Sequence, residues 1–240
     1  GLVFLSDSRT NAGLDQISTF RKMMIYEKPD DRFTVMLSAG NLSISQSVRE
    51  IPQVEKLDNG DEPPLTIWNA QTMFDATRVL GSAVRRVYEQ DAPSLKATGI
   101  DFNASMIFGG QIKGEAMRLF LVYSAGNFIE ATRETCFFQV GESKYGKPIL
   151  DRVLTPTTPL DEAAKCALVS MDSTLKSNLS VGLPLDLLVY EEGSLASNRI
   201  VCIDDKNPYF QMIHNTWGQR LREVFEGIEL QEREAIIATR

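Results

Sequence analysis

Leu2 to Leu5 are apolar without a break, and the run ends on Ser6 and Asp7. A strand with one wet face alternates apolar and polar residues, whereas an uninterrupted apolar strand needs cover on both faces. This segment therefore belongs inside a layered structure, and it delivers a carboxylate at the end of a buried strand.

The rest of the chain supplies the layers. A second apolar run, "FTVMLSAG", ends on Gly40, and Asn41 is placed to cap the helix of "NLSISQSVREI" before the breaker loop "KLDNGDEPPL". From Asn69 to Glu89 the apolar positions Met73, Leu80, Val84 and Val87 recur at helical spacing. Strands then follow in series: "GIDFNASMIFGGQ", "EAMRLFLVYSAGN", "FIEAT" and "CFFQVG", most simply a meander. Thr158, Pro159 and Asp161 read as an N-cap, a first-turn proline and an acidic first turn, with Leu160, Ala164, Ala167 and Met171 as the buried stripe. "LPLDLLVY" and "RIVCID" are two more strands. Asn207-Pro208 opens a final helix carrying Phe210, Ile213, Trp217 and Leu221. Runs of strands alternate with runs of helices, so the expected class is α+β, two mainly antiparallel sheets face to face with helices outside, rather than a doubly wound sheet.

Composition narrows the function. The chain of 240 residues has enough length for one large core, so residues 1–240 are expected to form a single domain, with 229–240 a tail undecided between helix extension and partner contact. A net charge of -7 argues against binding to phosphate backbones, so no nucleic-acid partner is expected. Apolar runs are too short for a spanning helix, so no membrane partner is expected either. Cys136, Cys166 and Cys202 are widely spaced and odd in number, which suits a reducing cytoplasm and offers neither a disulfide framework nor a metal clamp. No metal or cofactor is expected. His214, the single histidine, reads as a helix-face residue.

Residues able to carry chemistry gather near the start. Asp7 and Arg9 lie just past the buried strand, and Lys22 follows in "STFRKMM". A carboxylate and an ammonium in a partly buried cleft favour each other's charged forms and orient a third group. In "SAGN", Gly40 stands at a strand-to-helix junction, where a backbone N–H is free to face an oxyanion.

Taken in order, "GLVFLSDSRTNAG", "STFRKMM" and "SAG" resemble the proteasome-type threonine peptidases, a branch of the N-terminal nucleophile hydrolases, and more closely the bacterial proteasome-like family Anbu, the ancestral beta subunit. The resemblance implies a four-layer αββα sandwich. It implies a peptidase acting on peptide or related amide bonds through an acyl-enzyme, with Asp7, Lys22 and Gly40 in the site. The nucleophile, a threonine at the mature N-terminus, would lie on a strand before Gly1, so about ten residues are expected to precede this sequence. A terminal amine with a pKa near 8 takes the threonine proton, so no histidine is needed.

By the same carry-over, substrate would add as a strand between Thr10-Asn11 and the segment at Gly40-Leu42, with Phe20, Met24, Ser38 and Leu42 at the specificity pocket. Ser180 in "SNLSVG" is the counterpart of a serine that bonds the terminal amine, although the aspartate three residues earlier is replaced by Ser177; Ser143 in "VGESKYGK" is displaced from the usual Gly-Ser-Gly turn. The resemblance further implies a homo-oligomer of many copies, a ring or open spiral. A scaffold or binding protein with little turnover, or a non-proteolytic amidase, would use the same fold.

Overall fold

The computed structural model describes residues 1–11, 17–51, 56–60, 63–196 and 199–229. In chain order its strands are β1 (Leu2–Asp7), β2 (Arg9–Asn11), β3 (Ile17–Thr19), β4 (Met23–Lys28), β5 (Arg32–Gly40), β6 (Ala104–Ile112), β7 (Arg118–Val122), β8 (Phe128–Glu130), β9 (Leu185–Tyr190) and β10 (Arg199–Ile203). The helices are α1 (Leu42–Glu50), α2 (Met73–Ala97), α3 (Lys147–Val153), α4 (Leu160–Ser177) and α5 (Pro208–Glu226).

Strands β4 to β8 form a five-stranded sheet in sequence order, and β1, β9 and β10 a three-stranded one with β9 in the middle. All pairings are antiparallel, including the small β2–β3 pair. Three cores separate four layers. Ile44 and Val48 of α1 and Met73, Leu80 and Val84 of α2 pack on Met106, Phe108 and Phe120 of the larger sheet. Phe4, Phe33, Val35, Leu188 and Tyr190 fill the space between the sheets, where the Phe33 and Tyr190 rings stack at 5.0 Å and 3°. Leu168, Leu185, Ile203, Phe210 and Ile213 join the smaller sheet to α4 and α5. The architecture is the αββα sandwich, and β1 shows why its sequence is continuously apolar: Phe4 faces the other sheet while Leu5 packs toward the helices.

Local signals act as their chemistry demands. Asn41 accepts the Ser43 N–H at the start of α1, Thr72 accepts the Asp75 N–H at α2, and Asn207 accepts the Phe210 N–H at α5, with Pro208 in its first turn. Four details differ from the sequence reading. Strand β4 and the β2–β3 pair went unread, because their short, polar-flanked runs carry no clear alternation. Helix α2 continues past Glu89, through the exposed Pro93 to Ala97. At α4, Thr158 is not the cap: the helix starts at Leu160 after Pro159, and the Thr158 hydroxyl instead accepts the Thr155 N–H at 2.9 Å. "CFFQVG" is not a strand, since it pairs with no neighbour among the described residues; Phe138 and Val140 still point into the inter-sheet core. The 229–240 tail lies outside the described residues apart from Glu229.

Candidate active site

Among the described residues, strand β1 is an edge of its sheet, and it borders a cavity of about 1060 Å³. The segment 136–141 lines the same cavity. At one end the chain leaves β1 at Asp7, and at the facing end of the larger sheet Lys22 precedes β4.

These two side chains meet. Lys22 Nζ donates to Asp7 Oδ1 at 2.6 Å, with the side chains 22% and 11% exposed. The second carboxylate oxygen, Oδ2, accepts the N–H of Arg9 at 3.1 Å and the N–H of Gly182 at 3.3 Å. Asp7 thus has a donor on each oxygen, which fixes its rotation and leaves the ammonium of Lys22 with further N–H directions for a second acceptor. The segment leading to Lys22 is tied down at each residue. Phe20 N–H donates to Ser8 O at 2.6 Å, Arg21 binds Asp186 through Nε at 3.1 Å and Nη2 at 3.0 Å, and Lys22 O accepts the Ser38 N–H at 3.2 Å.

That last bond orients the candidate oxyanion donor. Backbone N–H groups alternate sides along a strand, so the Gly40 N–H, two residues after Ser38, is directed toward the same edge, beyond Lys22. Gly40 is exposed and lines the cavity. Its φ of +110° belongs to glycine, and a Cβ there would stand 2.3 Å from Asn103 O.

The remaining expected residues divide. Thr10, Phe20, Ser38 and Leu42 line the same cavity as Asp7, Lys22 and Gly40. The Thr10 hydroxyl is paired with Ser18 Oγ at 2.8 Å, and the Phe20 ring lies under the Arg49 guanidinium at 5.5 Å. Asn11 pairs with Ile17 through the backbone of the small hairpin. Met24 is brought elsewhere: half-buried, it packs against the core under α1 and α2. Ser180 lines the cavity, but its hydroxyl and its N–H both bond Asn178 Oδ1, at 2.6 and 2.7 Å, a turn closed within its own loop. Ser143 sits in the turn before α3, its carbonyl accepting the Lys147 N–H. His214 does lie on a helix, and its Nδ1 is 2.7 Å from the buried carboxylate of Asp172 on α4.

Sequence reasoning missed two participants. Gly182 supplies a donor to Asp7 from 175 residues away, with no motif to announce it. Asp186 was readable in part: a lone carboxylate inside the apolar strand "LPLDLLVY" must have a cationic partner.

Among the described residues, no group of three or more His, Cys, Asp or Glu could hold a metal ion, no helix is long and apolar enough to cross a membrane, and the three cysteines are unpaired.

No protein-family model matches the chain, and no curated protein does. Solved structures do. Anbu (ancestral beta-subunit) from Yersinia bercovieri is 49% identical with a TM-score of 0.87, covering 97% of this chain and 95% of that one. Anbu from a Hyphomicrobium species is 46% identical at a TM-score of 0.84, and the Anbu complex from Pseudomonas aeruginosa, solved as a helical assembly, is 45% identical at 0.88; both pairs have the same coverage of 97% and 95%. With nearly half its residues identical over almost its whole length, and with the proteasome-like sandwich in common, this chain belongs to the Anbu family, the ancestral beta-subunit proteins.

Proposed function

We propose that this protein is a threonine hydrolase that cleaves peptide or related amide bonds through an acyl-enzyme, its nucleophile being a threonine on a strand that precedes Gly1. The observation that carries this reading is the Lys22–Asp7 ion pair, 2.6 Å long, at the mouth of the cavity beside the free edge of β1. Two further features support it. Ser6 Oγ and Gln139 Oε1 are buried along the cavity without hydrogen-bond partners, as polar atoms facing an added strand would be. The cavity also runs along the edge of β1 that has no partner among the described residues, where a further strand would add.

The chemistry follows. The threonine hydroxyl oxygen attacks the substrate carbonyl carbon, and its proton passes to the terminal amine, directly or through water. Lys22, held by Asp7, places a positive charge that favours the alkoxide. The Gly40 N–H faces the oxyanion; removing one such donor costs roughly 3 to 4 kcal/mol in other hydrolases. As the tetrahedral intermediate collapses, the C–N bond breaks and the leaving amine takes the proton. Water then attacks the ester carbon, returning the hydroxyl. Substrate would lie as a strand against Thr10 and the Gly40–Leu42 segment, with Phe20, Ser38 and Leu42 in reach of its side chains.

We place the protein in the cytoplasm, where its unpaired cysteines remain reduced, and assign it to a homo-oligomer. The end of α5 and the turn after it support assembly: Leu221, Val224 and Phe225 on the helix and Ile228 just beyond it are apolar, with exposures of 49% to 74%. One observation favours a second reading, a scaffold with little turnover. Ser180 is closed onto Asn178 rather than turned to the Asp7–Lys22 pair. Intact mass spectrometry of the mature protein, before and after an electrophilic threonine-reactive inhibitor, decides. An adduct on a leading threonine supports the hydrolase; a free leading threonine that never labels supports the scaffold.

A further inference from the structure

The cavity wall carries four charged side chains, Asp7, Arg9, Lys22 and Glu142. Three are engaged: Lys22 binds Asp7, and Arg9 donates through Nη1 to Leu179 O. Glu142, half-buried, has no hydrogen-bond or ion-pair partner among the described residues. A carboxylate partly withdrawn from water without a partner is a place for a cation. The nearby protein cations do not supply one. Arg21 holds Asp186 through two bonds, Lys147 holds Asp151, and Lys144, on the same turn as Glu142, is exposed. Cys136 is the other titratable side chain of the wall.

Three consecutive residues of β5 bring this carboxylate to the site. The Ser38 N–H donates to Lys22 O at 3.2 Å. Ala39, the next residue, touches the turn that carries Glu142: a Cβ on Gly141 would stand 3.5 Å from the Ala39 Cβ, an ordinary contact. Gly40 follows, with the N–H assigned to the oxyanion. Consecutive Cα atoms are about 3.8 Å apart, so the Glu142 backbone starts only a few such steps from the Lys22 backbone and from the Gly40 N–H. The hydroxyl expected to bond a terminal amine is meanwhile taken, since Ser180 Oγ is 2.6 Å from Asn178 Oδ1. Ser143, the residue after Glu142, is not part of the cavity wall.

We propose that Glu142 binds the amine of the leading threonine, in place of a serine hydroxyl, and so sets the pH range over which the nucleophile is activated. The inference rests on the hydrolase reading. The amine takes the hydroxyl proton only when it carries no extra proton of its own. A carboxylate beside it favours the ammonium form and raises its pKa by about one unit above the usual value of about 8. At pH 7 about one amine in a hundred is then free, where an unperturbed one would be free about one time in ten. The result is a hydrolase that is slow at neutral pH and faster in mild alkali.

Two titrations test this. Acetylation by acetic anhydride across pH, read on the N-terminal peptide by mass spectrometry, follows the amine's own proton and needs no turnover. Labelling by a threonine-reactive inhibitor across pH follows the activated nucleophile. In Glu142→Gln both curves move down by about one pH unit and labelling at pH 7 rises about tenfold. The alkaline plateau holds, because the amide oxygen still accepts an amine N–H. In Glu142→Ala the curves move equally and the plateau falls about tenfold, because the amine is no longer oriented. Unmoved curves in Glu142→Gln, or an unchanged plateau in Glu142→Ala, overturn the proposal. So does a Glu142→Gln protein whose curves stay in place while its preference for Lys or Arg peptides changes, which would give the carboxylate to the substrate instead. Should the unaltered protein fail to label at any pH, the hydrolase reading falls, and the acetylation curves of the variants still judge the contact with the amine.

Discussion

The bare Cα of Gly182 lies against the guanidinium of Arg9, so closely that a Cβ at this glycine would stand 2.1 Å from Arg9 Nε and 2.3 Å from Cζ. The same glycine donates its N–H to Asp7 Oδ2 at 3.3 Å. Gly182→Ala must therefore push out Arg9, breaking its bond to Leu179 O, or push back its own loop, withdrawing a donor from Asp7. We expect a stability loss of about 0.5 to 1.5 kcal/mol by denaturant titration, that of one lost hydrogen bond, since the atoms to be displaced are the far end of a flexible side chain. Inhibitor labelling should fall as well, which a purely mechanical strain elsewhere in the fold would not cause.

Lys22 and Asp7 separate stability from function. Lys22→Ala leaves Asp7 with two backbone donors, so the fold should persist with a loss of roughly 1 to 3 kcal/mol. Labelling of the leading threonine should drop by about 10² to 10³, the usual range for removing one group that stabilises developing charge. Lys22→Arg keeps the charge but replaces a compact ammonium by a planar fork, and should not restore the rate. Equal labelling in all three proteins would remove Lys22 from the mechanism.

The layered architecture was legible because burial patterns are local. Leu2–Leu5 announces cover on two faces, and Met73, Leu80, Val84 and Val87 announce one buried helix face; all four of those are buried. The site was legible only where family-like segments, "SDSR", "RK" and "SAG", lie close in sequence. Gly182 and Asp186 act on the site through strand register and loop packing across more than 160 residues, which no periodicity encodes. "CFFQVG" misled for a related reason: its alternation reports the core contacts of Phe138 and Val140, whereas a ladder depends on a neighbouring strand.

Arg118 and Glu130, on neighbouring strands at the edge of the larger sheet, are joined by two bonds of 2.6 Å. These hydrogen bonds to Arg118, and its charge, hold the Glu130 carboxyl below its ordinary value of 4.5 against a partial desolvation. A depressed carboxyl contributes stability above its unfolded value and loses it as pH falls through the folded one. Glu130→Gln should thus be less stable than the unaltered protein at pH 7, with the gap closing below about pH 4.5. The effect should be small and weaker in high salt, since the Glu130 side chain is 39% exposed. Melting curves across pH and ionic strength test this, and a gap that widens in acid would contradict it.

The exposed end of α5 makes assembly separable from folding. Phe210 and Ile213 anchor the first half of the helix in the core, while Leu221, Val224, Phe225 and Ile228 touch water. Charged replacements there remove apolar surface that the isolated fold does not use. Leu221→Asp with Phe225→Asp should leave the melting temperature of the dissociated subunit nearly unchanged, because surface substitutions usually stay within about 0.5 kcal/mol. If copies of this chain meet through these residues, sedimentation velocity should show the large species giving way to small ones at equal concentration. Raising salt should not mimic the substitution, since burial of apolar area rather than ion pairing would hold the contact. Phe210→Ala is the counterpart: it opens a buried site, should cost roughly 3 to 5 kcal/mol, and would reduce assembly only by unfolding the subunit. An unaltered size distribution in the doubly charged variant would move the assembly surface off α5.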